Sequence, residues 1–263
     1  MKLYVNNEYS LLKRVLLAPV EDNYLDESRE LKDILNNYSI NIEESKYSNN
    51  CKYQMFVRDP FIVIDDKILL CYMKEEFRRE ELDTINNLLN KINSNSIIKV
   101  PKDVYLEGGD VLLYNDTIFV GINGGRTNDK GVEFLKKNFL EHNIVPLKML
   151  NPDKNIPWIH LDCLFNILSN DTVLIYKNGF DRDSLNLLNN YFSKLITVNK
   201  KEQEELACNV ISLGDNTIVM QKRHKRLINI LKKNNFKIEL MNYYNTIDEV
   251  GYLRCLTCPL ERK

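Results

Sequence analysis

Four stretches of the sequence place reactive or charged side chains where a shared site could use them. They are Arg58-Asp59-Pro60, Glu107-Gly108-Gly109-Asp110, His160-Leu161-Asp162 and Arg254-Cys255-Leu256-Thr257-Cys258. A thiol, an imidazole and several carboxylates make up a set suited to covalent catalysis on a cationic substrate. The thiolate attacks, the imidazole moves protons and the carboxylates hold positive charge. Cys255 is the candidate nucleophile. Cys258 precedes Pro259 and reads as structural. Zinc on Cys-x-x-Cys would need two more ligands, and no second Cys/His pair has suitable spacing. A redox pair would normally open a helix in a thioredoxin-like unit. Of the 3 histidines, His142 follows an expected surface helix and His224 lies in the basic run Lys222-Arg223-His224-Lys225-Arg226. Both are expected in solvent. His160 follows the apolar Ile156-Pro157-Trp158-Ile159 and stands apart.

These clusters need elements that bring them together, and an internal repeat supplies them. Four segments share one pattern of an apolar run, an Asp/Asn turn and a second apolar run. They are 61–70, 111–120, 165–175 and 210–220, with turns recurring at intervals of roughly 50 residues. β-Branched residues flanking Asp/Asn turns predict hairpins. A helical pattern follows each one: Glu75 to Ile92, Val132 to Phe139, a helix capped by Asp181, and Leu227 to Phe236. A fifth helix fits Asp26 to Tyr38, with Arg14 to Pro19 as its partner strand. Five strand-and-helix units predict a closed ring, one module being completed by the N-terminal strand and the C-terminal segment. An open α/β sheet is the alternative.

The polar clusters all fall just before the first strand of a hairpin, and Cys208-Asn209 takes that place in the fourth. In a ring of repeats, equivalent positions converge on the axis. Asp59, Glu107, Asp110, His160 and Asp162 are therefore expected near one end of a central channel.

Composition narrows the function classes. The chain has 263 residues, with 36 Lys+Arg against 37 Asp+Glu and a formal net charge of −1. So even a balance argues against a nucleic-acid protein. Hydrophobic residues make up 44% and charged residues 28%, with 9 Gly and 7 Pro; this is the composition of a globular chain. No apolar run approaches the roughly 20 residues of a membrane helix, and the start has no signal-peptide pattern. Six cysteines then read as reduced thiols. A cytoplasmic protein of one domain, residues 1–263, is expected. The oligomeric state is left open.

Phe56-Val57-Arg58-Asp59-Pro60, Leu106-Glu107-Gly108-Gly109-Asp110, His160-Leu161-Asp162 and Arg254-Cys255-Leu256-Thr257 together resemble the motifs of the guanidine-modifying superfamily. That group holds arginine deiminases, dimethylarginine dimethylaminohydrolases and amidinotransferases. The resemblance implies the pentein fold, a five-bladed pseudo-symmetric α/β propeller, in accord with the repeat count. Gly121-Ile122-Asn123-Gly124-Gly125-Arg126-Thr127-Asn128 is similar to the family segment whose Arg binds the substrate α-carboxylate. Phe77-Arg78-Arg79-Glu80 is similar to its second carboxylate site, through Arg78. A planar guanidinium fork suits bidentate carboxylate recognition; a solvated helix start is the other reading of Arg78 and Arg79. The segment Glu249-Val250-Gly251-Tyr252-Leu253 departs from the Gly-rich loop common in the family.

The resemblance implies a hydrolase acting on L-arginine or a close analogue, giving citrulline and ammonia without metal or organic cofactor. Asp59, Glu107 and Asp162 would grip the guanidinium, Cys255 would attack its carbon, and His160 would serve as acid and then base. An amidinotransferase, a dimethylarginine hydrolase and a non-catalytic binding platform are the alternatives. Asp162 favours an unsubstituted guanidinium, because methylated nitrogens lack an N–H and would strand a buried charge. A free thiol has a pKa near ~8.5, and nearby carboxylates push it higher. The thiolate is therefore expected mainly in the complex with a cationic substrate.

Overall fold

Asp65, Asn115 and Asn216 adopt φ of 50°, 54° and 54°. Short polar side chains tolerate this left-handed region, and tight hairpins require it. The turn at residues 169–171 closes differently: the Ser169 hydroxyl donates to Asp171 at 2.8 Å and accepts from the Thr172 N–H. These four turns fold the repeats into hairpins. The structure, a computed structural model, describes residues 1–123, 125–150, 160–242 and 251–263.

In chain order, β1 (Leu12–Leu17), α1 (Leu25–Asn37) and β2 (Asn41–Glu44) open the chain. Next come β3 (Phe61–Ile64), β4 (Lys67–Leu70), α2 (Asn86–Leu89) and β5 (Ile97–Lys99). The third unit is β6 (Val111–Tyr114), β7 (Thr117–Ile122), α3 (Asp129–Asn138) and β8 (Asn143–Lys148). The fourth is β9 (Phe165–Ile167), β10 (Thr172–Ile175), α4 (Arg182–Tyr191) and β11 (Lys194–Thr197). After α5 (Lys200–Glu204), the fifth is β12 (Ile211–Gly214), β13 (Thr217–Gln221), α6 (Lys225–Lys233) and β14 (Lys237–Met241). Strand β15 (Cys258–Arg262) ends the chain.

Among the described residues these strands form five three-stranded sheets, ordered β15-β1-β2, β3-β4-β5, β6-β7-β8, β11-β10-β9 and β12-β13-β14. In each, the middle strand pairs antiparallel with its hairpin partner, or with β15 in the case of β1. It pairs parallel with the strand that returns after the crossover. This is the pseudo-fivefold α/β propeller, in one domain. As the repeat predicts, β15 and β1 complete one blade between the two ends of the chain: Val15 pairs with Pro259 and Leu16 with Cys258. The hairpin strands are apolar on both faces because both are covered, and β3 and β10 are buried along their whole length. Asp181 caps α4 by accepting the Ser184 N–H, as expected.

The stretch from Glu75 to Ile92 departs from the single α-helix that its periodicity predicts. Residues Glu76–Ile85 form a 3-10 helix, and only Asn86–Leu89 is α-helical. Phe77 is exposed. The buried positions are Arg78, Glu81, Thr84 and Ile85, the first three at every third residue. A 3-10 helix eclipses i and i+3, so this geometry aligns the buried Arg78–Glu81 pair, which an apolar count does not register. Among the described residues no helix is long and apolar enough to cross a membrane.

Candidate active site

All five blades deliver a polar side chain just before the strand that leads into the ring. Asp59 precedes β3, Glu107 precedes β6, His160 precedes β9, Asn209 precedes β12 and Cys255 precedes β15. Single 3-10 turns, Gly108–Asp110 and Leu161–Cys163, reverse the chain after Glu107 and His160. All five residues are buried. The structure thus gathers the expected Asp59, Glu107, His160, Asp162 and Cys255 into one neighbourhood.

His160 is the hub. Its Nε2 lies 2.7 Å from Glu107 Oε2, and its Nδ1 lies 3.6 Å from Asp59 Oδ1. Burial opposes a charge on the imidazole. The Asp59 carboxylate and the Glu107 hydrogen bond outweigh it and hold the pKa up at about 10, so His160 is an imidazolium at neutral pH. Burial also works against the Glu107 anion, but the hydrogen bond with His160 and its charge keep Glu107 below the usual carboxylate value. The other Glu107 oxygen accepts the Lys74 N–H at 2.8 Å. Asp110 accepts the Leu161 N–H at 2.9 Å and so ties the His160 turn to the neighbouring blade; burial pushes its pKa up to about 7.

Asp59 is held from behind. Arg78 Nη1 donates to its Oδ2 at 2.8 Å, while Arg78 Nε and Nη2 grip both oxygens of Glu81. Asp59 Oδ1 is buried without a hydrogen-bond partner. It is an acceptor kept open beside His160. Arg78 accordingly corrects both readings of the sequence. It is buried rather than solvated, and its fork is filled by Asp59, Glu81 and the Phe56 carbonyl rather than open to a substrate carboxylate.

Arg126 is differently placed. Its Nη1 lies 3.4 Å from Glu75 and 3.9 Å from Glu107, with no hydrogen-bond partner among the described residues. It borders an open depression of about 1140 Å³ lined also by Lys74, Tyr105, Asn123 and Lys148. An anion entering beside Glu107 would find Arg126 Nη1 without a hydrogen bond, beside the Glu75 and Glu107 carboxylates. Gly124 of this segment lies outside the described residues, as do Ile156 to Ile159 and, before Cys255, Glu249 and Val250.

Asp162 also departs from expectation. It is fully buried, and its Oδ2 accepts from Arg254 Nη1 at 2.8 Å. Arg254 spans on to Glu8 at 3.0 Å and to the Val111 carbonyl at 3.1 Å. Asp162 therefore carries an internal cation and is not stranded when a substrate lacks an N–H. Arg254 was legible only as part of the nucleophile motif, and Glu8 carried no signal at all.

The Cys255 sulfur lies 3.9 Å from Asp162 Oδ2 and 3.2 Å from Asn209 Nδ2. Burial, then Asp162 and Asp59, push the thiol well above its ordinary pKa, so the resting group is a neutral thiol. Cys258 donates to the Phe61 carbonyl at 3.7 Å; burial pushes its pKa to about 11. The other two histidines are not in solvent. The His142 side chain is 6% exposed and 2.6 Å from Asp65, and His224 is buried with its pKa pushed down by desolvation to about 4. Polar side chains flanking a blade go unseen by a count of apolar neighbours.

Comparison with known proteins agrees with this fold. The family described as N,N dimethylarginine dimethylhydrolase, eukaryotic, matches residues 6–261. The uncharacterized protein YkgA of Bacillus subtilis is 30% identical over 237 residues, which is 90% of this chain and 80% of that protein. An N(G),N(G)-dimethylarginine dimethylaminohydrolase of Streptomyces coelicolor is 29% identical over 175 residues, 66% of this chain and 61% of that enzyme. Among solved structures, the amidinotransferase SxtG of Microseira wollei superposes with a TM-score of 0.85 at 16% identity, covering 99% of this chain and 97% of that one. The N-terminal domain of ArgZ, a cyanobacterial arginine dihydrolase, gives 0.83 at 19% identity, over 95% and 97%.

Proposed function

The chain belongs to the N,N dimethylarginine dimethylhydrolase family, within the pentein superfamily of guanidine-modifying enzymes, and on that premise we propose that residues 1–263 form one catalytic domain, a cysteine-dependent hydrolase of L-arginine or a close analogue. The observation that carries this reading is the buried His160 imidazole held 2.7 Å from Glu107 and 3.6 Å from Asp59, with the open Asp59 acceptor beside it.

Asp59 and Glu107 hold the guanidinium, and Arg126 takes the α-carboxylate. The incoming cation offsets the carboxylates that keep Cys255 protonated, and the thiol loses its proton to solvent. Sγ then bonds to the central guanidinium carbon. The bond from that carbon to a terminal nitrogen breaks, with His160 supplying the proton, and ammonia leaves. The neutral imidazole next takes a proton from water as its oxygen adds to the S-amidino carbon. The C–S bond breaks, giving citrulline and the thiol.

A second reading, release of dimethylamine from dimethylarginine, is favoured by the family description and by Asp162 already being paired with Arg254. Incubating the purified chain with each substrate tests both readings. Citrulline with ammonia supports the first, and citrulline with dimethylamine the second. Transfer of the amidino group to an added amine would make the chain an amidinotransferase. Cys255→Ser should abolish turnover and Cys258→Ser should keep most of it. Full activity in the Cys255 variant, or no reaction with any guanidino compound, overturns the proposal.

A further inference from the structure

Cys255 is surrounded by features that disfavour the anion it must become: burial and two carboxylates. The fourth blade supplies a counterweight. Asn209 is fully buried. Its Oδ1 accepts the Arg254 N–H at 2.9 Å and the Cys255 N–H at 3.4 Å. Its Nδ2 lies 3.2 Å from the Cys255 sulfur. Which way a side-chain amide points is settled by its partners. Two backbone donors can face only the oxygen, so the NH₂ faces the sulfur.

We propose that Asn209 is a further catalytic residue, whose Nδ2 donates a hydrogen bond to the Cys255 sulfur and stabilises the thiolate that attacks the substrate. A hydrogen bond to the charged form favours that form. A neutral donor does so without adding a cation, which would repel a guanidinium. The same amide holds the Arg254 and Cys255 N–H groups, so it fixes where the sulfur sits as well as how readily it ionises. Asn209 takes the register position in its blade that Asp59, Glu107 and His160 take in theirs. No blade of the ring is then idle.

The proposal rests on Cys255 being the nucleophile, and the test separates the two ideas. The rate of Cys255 alkylation by iodoacetamide, located by mass spectrometry, is followed against pH in the wild type, Asn209→Ala and Asn209→Asp. Thermal unfolding identifies any variant that fails to fold. The aspartate can still accept both backbone N–H groups, so it preserves a purely structural role while replacing the donor with a negative charge. The midpoint of alkylation should rise by about one pH unit in Asn209→Ala and further in Asn209→Asp, with kcat at neutral pH falling by roughly tenfold or more. Unchanged midpoints and unchanged kcat in the folded Asn209→Asp variant would overturn it, even with Cys255→Ser inactive. Full turnover by Cys255→Ser would instead sink the functional reading, and the alkylation midpoints would still report on the hydrogen bond itself.

Discussion

Arg254 Nη1 stands 2.8 Å from Asp162 Oδ2, and the sulfur of the adjacent Cys255 is 3.9 Å from that same oxygen. One ion pair thus ties the Cys255 loop to the blade that carries His160. Neither partner is more than 2% exposed, so removing one leaves an uncompensated buried charge. Arg254→Met should cost about 3–5 kcal/mol. That corresponds to a fall in Tm on the order of 10 °C. Arg254→Met combined with Asp162→Asn should recover part of the stability but not the activity. A single variant as stable as the wild type in urea unfolding would show that the pair holds nothing in place.

Arg126 should decide whether the substrate must be an amino acid. Agmatine, which is arginine without its α-carboxylate, leaves the Arg126 guanidinium with only the Glu75 and Glu107 carboxylates near it. Losing a charge-assisted hydrogen bond to this partly buried group costs about 1.5–3 kcal/mol, or roughly a 10- to 150-fold fall in kcat/KM. Arg126→Ala should lower arginine turnover by a similar factor and leave the small agmatine rate nearly unchanged. Equal kcat/KM on the two compounds in the wild type would remove Arg126 from the site.

Much of this was legible in the sequence because the fold repeats itself. Hairpin turns at Asp65, Asn115 and Asn216 announce themselves through residues that accept positive φ. The register of the turns then predicts that Asp59, Glu107 and His160 converge. What stayed hidden depends on partners distant in the chain. Arg78 looks like a solvated helix charge until Asp59, 19 positions away, is seen to face it. Glu8 meets Arg254 across 246 positions. Short strands such as β5, three residues long and partly exposed, carry too little pattern to be read. Asp162 lies 3.9 Å from the Cys255 sulfur, in the neighbourhood the register predicts, but its pairing with Arg254 was not visible.

The charge on His160 should make stability depend on alkaline pH. Its folded pKa is about 10 against an ordinary 6.5, so the native state holds a proton that the unfolded chain has released. The contribution is complete below about pH 6.5 and is lost as pH rises to about 10, at no more than about 1.4 kcal/mol per pH unit. Urea midpoints measured from pH 6 to 10 should fall more steeply in the wild type than in His160→Gln. Parallel curves would mean that the imidazole is neutral in the folded protein.

Gly109 owes its identity to the side chains it lies against. A Cβ built there would sit 2.7 Å from His160 Cγ and 2.8 Å from Asp59 Oδ1, closer than such contacts allow. Gly109→Ala must therefore displace His160 and Asp59, the proton donor and the guanidinium holder of the proposed reaction. A misplacement approaching 1 Å costs about 10²-fold in rate, whereas overpacking costs about 1–3 kcal/mol of stability. Gly179 makes an equally tight comparison, because its Cβ would meet Leu164 Cδ1 at 2.8 Å, and the nearest atoms to it all belong to Leu164 rather than to a charged group of the site. Both variants should lose similar stability in urea unfolding, but only Gly109→Ala should lose kcat by about two orders of magnitude. If the two kept the same kcat, the spacing of His160 and Asp59 would not govern the reaction, and Gly109 would be required only for packing.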